Sequence, residues 1–95
     1  MEDQEIYGKC LGLWLKIKRE ELGFTQADVS ANADISEKTL SMIERGERSP
    51  GSFTLFKIAN AMNFSLDQLN QDVYTCMNEV KNGSRTFSFR FRNKD

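Results

Sequence analysis

A chain of 95 residues with 39% hydrophobic and 28% charged residues fits one soluble globular domain with a modest core, not two domains or a disordered tail. It has no histidine, and its two cysteines, Cys10 and Cys76, form no Cys-x-x-Cys pair, which excludes an ordinary zinc site and Ser-His-Asp or Cys-His catalysis. A net charge of −1 excludes a protein that coats nucleic acid by bulk attraction, so any such affinity must come from charges sorted onto one face.

The first eight residues carry three acids, Glu2, Asp3 and Glu5, unlike the basic start of a secretory leader. No apolar run approaches the roughly 18 to 20 residues that cross a bilayer. Together these predict a cytoplasmic protein without membrane attachment, and hence two reduced cysteines packed on or near helix faces, a disulfide being the alternative. A first helix is predicted from about Ile6 to Leu22, where Tyr7, Leu11, Trp14, Leu15 and Leu22 recur at steps of three and four. Gly23 ends it in a left-handed position.

Thr25 is placed to cap a short second helix, Gln26 to Asn32, with Asp28 in a capping-box position. Ala33-Asp34-Ile35 makes a turn, and Ser36 caps a third helix from Glu37 to Arg45, stopped by Gly46. The segment 46–52, with the only proline, is the clearest loop in the chain. A fourth helix is predicted over Phe53 to Met62. Asn63-Phe64-Ser65 breaks it, and Ser65 caps a fifth that reaches towards Lys81 through the stripe Leu66, Leu69, Val73, Met77 and Val80. Trp14 and the phenylalanines at 24, 53, 56 and 64 are expected in the core. After the turn Asn82-Gly83-Ser84 the period changes: Phe87, Phe89 and Phe91 alternate with Ser88, Arg90 and Arg92, a strand pattern.

Two short helices joined by a three-residue turn, in an otherwise helical chain, have the geometry of a helix-turn-helix. Ser30 and Ala33 supply the small inner residues such a crossing needs, and Asp34 tolerates a left-handed turn. Val29, Ile35, Leu40 and Ile43 form the core wedge, which leaves Glu37, Lys38, Ser41 and Met42 on the opposite face, with Arg45 at its end.

The run Leu22-Gly23-Phe24-Thr25-Gln26 through Ile35-Ser36-Glu37-Lys38-Thr39-Leu40-Ser41-Met42-Ile43-Glu44-Arg45-Gly46-Glu47-Arg48-Ser49-Pro50 resembles the Cro/lambda-repressor-type (XRE) helix-turn-helix family. The resemblance continues through Leu55–Met62 and Leu66–Leu69 and covers about residues 9 to 70. It implies an all-α, five-helix lambda-repressor-like domain that binds double-stranded DNA without chemistry, cofactor or metal. It further implies that Gln26 bonds a phosphate together with its backbone N–H. Glu37, Lys38 and Met42 would hold slots facing base edges, and Thr39, Ser41 and Arg45 would lie nearer the backbone. Thr25, Ser36 and Arg48 are weaker contacts, and Arg19 and Glu44 match an internal salt bridge. Glutamate accepts from the cytosine amino group, lysine donates to guanine, and a methionine touches the thymine methyl. The alternative for Glu37 is that it only favours the helix N-terminus. The sequence departs from the family in having Asp34 where glycine is usual and Ser30 where alanine is usual.

The organisation expected is an acidic extension over 1–8, the DNA-binding domain over 9–82 with the motif at about 25–45, and a C-terminal strand over 83–95. A lone strand leaves its backbone unpaired and the rings of Phe87, Phe89 and Phe91 in water. Pairing with the same strand of a second chain solves both problems and gives a two-fold dimer. The strand could instead fold back on its own helices, or bind nucleic acid or another protein. The functional expectation is a transcriptional repressor acting as a homodimer on a short palindromic operator; the alternative is an adaptor or antitoxin-like protein that uses the same fold on a protein partner.

Overall fold

The computed structural model describes residues 2–83. Five α-helices occur among them: α1 (Asp3–Glu21), α2 (Gln26–Ala33), α3 (Glu37–Glu44), α4 (Ser52–Met62) and α5 (Leu66–Lys81). The described residues contain no strand, and the strand expected at Phe87, Phe89 and Phe91 lies outside them.

Helix ends follow the local chemistry read from the sequence. Thr25 caps α2, Ser36 caps α3 and Ser65 caps α5, each side chain accepting a backbone N–H from the first turn. Asn63 closes α4 in the left-handed conformation (φ 57°). Helix α1 starts three residues before Ile6, because the Glu2 N–H donates to the Glu5 carboxylate at 3.3 Å and extends the first turn.

The core is one cluster between the five helices. Ile6, Cys10, Leu11, Trp14 and Leu15 of α1 meet Val29 and Ala33, Leu40 and Ile43, Ile58 and Met62, and Leu69, Val73 and Cys76. Each large apolar side chain taken out of water contributes roughly 1.5–3 kcal/mol, so α1, with five members, organises the fold. Trp14 is fully buried, where an unpaired indole N–H would be costly. Its Nε1 donates to Asp72 Oδ2 at 2.8 Å, and Gln68 holds the other Asp72 oxygen at 3.0 Å. This polar tie fixes α5 against α1.

The cysteines depart from expectation. Cys10 and Cys76 are both buried as expected, yet they form a disulfide between α1 and α5, with Cα atoms 6.0 Å apart. The sequence separates them by 66 residues, but the two helices pack directly and turn both thiols to the same line of contact. A second correction concerns the phenylalanines. Phe64 packs edge-on to Trp14 at 4.9 Å, but Phe53, Phe56 and Phe24 are exposed. At 3.6 residues per turn, Ile58, Ala59 and Met62 share the inward side of α4, and Phe53 and Phe56 fall opposite. Leu22, at the C-cap of α1, is likewise exposed.

Candidate nucleic-acid interface

Helix α2 begins with a reciprocal cap. Thr25 Oγ1 accepts the Asp28 N–H at 3.0 Å, and the Thr25 N–H donates to Asp28 Oδ2 at 2.9 Å. The backbone N–H donation from Thr25 holds the Asp28 carboxyl below its usual range, its side-chain bond adding to that. Helical geometry leaves the N–H groups that open α2 without an intrahelical acceptor, so this end presents donors and a positive dipole end.

The α2–α3 turn is sharp because Asp34 is left-handed (φ 56°, ψ 50°), as the sequence reading required. The Ile35 N–H reaches the Ser30 carbonyl at 3.0 Å, and Ser30 and Ala33 are buried where the helices cross. Lys57 Nζ of α4 donates to the Asp34 carbonyl at 3.1 Å and braces the turn from outside.

Helix α3 is split cleanly into two faces. Leu40, Ile43 and Glu44 are buried. By the 100° step of a helix, Lys38, Ser41, Met42 and Arg45 cluster on the opposite side, with Glu37 and Thr39 on the flanks. Lys38 and Arg45 are exposed, and Ser41 and Met42 half-buried.

The buried face is held by ions. Arg19 of α1 makes a two-point pair with Glu44, Nε to Oε2 at 2.7 Å and Nη2 to Oε1 at 3.0 Å, and donates from Nη1 to the Phe24 carbonyl at 2.9 Å. Hydrogen bonding to Glu44 raises the Arg19 pKa despite burial, so the guanidinium stays charged. Gln26 Nε2 joins the same carboxylate at 2.9 Å. One carboxylate thereby fixes α1, the start of α2 and the end of α3. Backbone contact completes the join: a Cβ on Gly12 would lie 2.4 Å from the Ile43 carbonyl oxygen, so only glycine lets α1 approach α3 this closely.

The structure thus brings Lys38, Ser41, Met42 and Arg45 together, with Glu37 and Thr39 beside them. Gln26 opens α2 as expected, but its amide is tied to Glu44. The Thr25 and Ser36 hydroxyls serve as caps, and Ser36 Oγ also meets Thr39 Oγ1 at 2.8 Å. Arg48 is exposed in the loop after α3. Sequence reasoning missed Glu47, which accepts from Arg45 Nε and Nη2 at 3.0 Å each, while Arg45 Nη1 bonds Ser41 Oγ. It also missed Gly12 and the second bond of Gln26. A mid-helix glycine, which lowers helix stability by up to about 1 kcal/mol, was the available signal for close approach at Gly12. None of the helices formed by the described residues is long and apolar enough to cross a membrane.

The sequence profile of a helix-turn-helix family matches residues 15–69. An uncharacterized HTH-type transcriptional regulator, YqaF of Bacillus subtilis, is 38% identical over 72 residues, spanning 76% of this chain and 91% of its own length. The HTH-type transcriptional regulator ImmR of the same organism is 39% identical over 59 residues, 62% of this chain and 46% of its own. Among solved structures, the clp gene regulator ClgR of Corynebacterium glutamicum superimposes with a TM-score of 0.75 at 22% identity, covering 80% of this chain and 81% of that one, which establishes the shared fold.

Proposed function

This chain belongs to the XRE-type helix-turn-helix family of transcriptional regulators, and we propose that it is a repressor that binds a short palindromic DNA operator as a homodimer in the cytoplasm. The observation that carries this reading is the division of α3. Its inner face is locked by Arg19, Glu44 and Gly12, while Lys38, Ser41, Met42 and Arg45 stand outward as one polar face. A helix held so rigidly and presented so openly suits the major groove.

In this reading Lys38 and Met42 face base edges, with Glu37 at the flank accepting from a cytosine amino group. Ser41, Thr39, Arg45 and Arg48 meet the phosphates, with Ser36 at the start of α3 a weaker contact, and Gln26 with the N–H groups that open α2, beside its cap Thr25, binds one phosphate. Residues Phe87, Phe89 and Phe91 supply the dimer strand, so that two α3 helices meet half-sites about 34 Å apart. The function needs no cofactor or metal, and no enzymatic step.

Fluorescence anisotropy against duplex DNA from upstream of its own gene, across a salt series, tests this. Binding that weakens steeply with salt, and loses sequence preference with Lys38→Ala, is the expected result. Absence of binding at low salt would sink the reading. A second reading, docking of a protein partner, is favoured by the exposed Phe53 and Phe56 rings, stacked at 6.3 Å. Partner capture that Phe53→Ser abolishes, without any DNA binding, is the outcome that would support it.

A further inference from the structure

Lys9 of α1, to which the DNA reading gives no task, stands at the stop of α3. That helix closes on Gly46, left-handed at φ 75°, whose N–H returns to the Ile43 carbonyl at 3.0 Å, and the Glu47 N–H returns to the Met42 carbonyl at 2.9 Å. Helix α1 lies against this stop. A Cβ on Gly46 would come within 3.1 Å of both Cα and Cγ of Lys9, so the lysine stem rests on the backbone immediately before Glu47. Lys9 is exposed and makes no ion pair among the described residues. Glu5, one turn earlier on α1, instead accepts the Glu2 N–H at 3.3 Å.

We propose that Lys9 is the second seat of the Glu47 carboxylate: as a DNA phosphate meets Arg45, Glu47 passes from Arg45 to Lys9. The inference rests on the DNA reading and names how its Arg45 contact is cleared. In the free protein both Glu47 oxygens lie on the Arg45 guanidinium, at 3.0 Å each. A phosphate that approaches this guanidinium meets the carboxylate there, and like charges repel. Of the two anions, Glu47 is the one that a side-chain rotation can turn away. Without a counter-charge it would remain beside the DNA and weaken binding. The ammonium of Lys9 supplies that charge from the next helix.

Two further points favour Lys9 for this task. Hydrogen bonding from Arg45 keeps the Glu47 carboxyl below its usual range, and the Lys9 charge adds to that, so Lys9 already acts on this carboxylate across space. The two cations also differ in what they hold best. The rigid guanidinium fork matches two phosphate oxygens, whereas an ammonium on a flexible stem takes a carboxylate from many directions. The exchange therefore leaves the better phosphate ligand to the DNA.

Anisotropy titrations of the natural protein, Lys9→Gln, Glu47→Gln and the double variant against a short duplex at fixed salt test the exchange. Glutamine keeps the Cβ and Cγ that lie on Gly46 and removes the charge, and urea midpoints confirm that all four proteins are folded. Lys9→Gln is expected to weaken binding of the natural protein roughly two- to fivefold, the scale of an exposed pair, and to leave binding of the Glu47→Gln protein unchanged. Lys9→Arg, which keeps the charge, should retain the natural affinity. An equal loss with and without Glu47 would make Lys9 a direct phosphate contact or a general charge, and would overturn the exchange. So would no loss in either background, or a loss with Lys9→Arg as large as with Lys9→Gln, which would trace the effect to packing on Gly46. Failure of the DNA reading looks different: a natural protein that binds no duplex at low salt removes that reading and the exchange with it. Tight binding in which Lys9 and Glu47 act independently removes the exchange alone.

Discussion

Gln26 and Glu44 share a hydrogen bond of 2.9 Å, from Nε2 to Oε1, and that oxygen also accepts Nη2 of Arg19 at 3.0 Å. The residue at the mouth of α2 is thus positioned by a carboxylate at the end of α3, which is itself clamped by α1. Half of the Gln26 amide donor pair is used inward. One N–H and the amide oxygen remain for an outside partner.

Removing Glu44 is expected to damage the fold far more than removing Gln26. Glu44→Ala removes the two-point partner of a buried guanidinium and leaves Arg19 only the Phe24 carbonyl and a longer contact with Glu20 at 3.9 Å, a loss of about 3 kcal/mol, the lower end for a broken buried pair. Gln26→Ala deletes one hydrogen bond, worth roughly 0.5–1.5 kcal/mol. Urea unfolding of the two variants measures this. Equal midpoints would show that Glu44 carries no such task. In DNA titrations the order reverses in kind: Gln26→Ala weakens binding while leaving a folded protein.

Gly12→Ala is expected to destabilise by about 1–3 kcal/mol, despite alanine's better helix propensity. The added Cβ meets the Ile43 and Glu44 carbonyl oxygens at 2.4 and 2.6 Å, backbone atoms that cannot step aside without moving α3. Gly51→Ala is the control, since nothing lies within 4 Å of its Cβ. Thermal unfolding of both separates a packing effect from a general effect of replacing glycine.

What was legible followed from local chemistry. The caps Thr25, Ser36 and Ser65 and the left-handed Asp34 each act within three residues, so their sequence neighbours reveal them. The two faces of α3 followed from period alone. Contacts between distant segments were not legible that way. Cys10 and Cys76 meet only because α1 and α5 pack, and Phe53 and Phe56 looked like core because an aromatic residue says nothing of its side until the helix's other stripe is placed. Glu47 is two residues from Arg45, but it follows the end of α3, where no helical period places its side chain.

Reduction of the disulfide is expected to lower stability without dismantling the fold. Closing a loop of 66 residues removes chain entropy from the unfolded state worth up to about 4 kcal/mol. The urea midpoint of the natural protein should therefore fall when a thiol reductant is added. The double variant Cys10→Ser, Cys76→Ser should show the lower midpoint in both conditions. A midpoint indifferent to reductant in the natural protein would mean that the cross-link contributes nothing.

The last prediction concerns Arg45, which the free protein holds in check. Three of its five N–H donors are engaged, two by Glu47 at 3.0 Å and one by Ser41, and the Glu47 carboxylate sets a negative charge beside the guanidinium that a phosphate would approach. Hydrogen bonding from Arg45 keeps the Glu47 carboxyl below its ordinary 4.5 and raises the Arg45 pKa in return. Because the folded value is depressed, the pair's contribution is complete above the unfolded value. It is lost only as pH falls through the lower folded one. Acidity within the neutral range therefore cannot free Arg45, whereas removing the charge can. Glu47→Gln is expected to tighten DNA binding roughly two- to fivefold, the modest scale of an exposed pair. It should also steepen the salt dependence, since one more cation meets the phosphates. On an Arg45→Ala background the same substitution should do much less. Anisotropy titrations of the four proteins decide it: equal gains with and without Arg45 would assign the effect to general charge rather than to this contact.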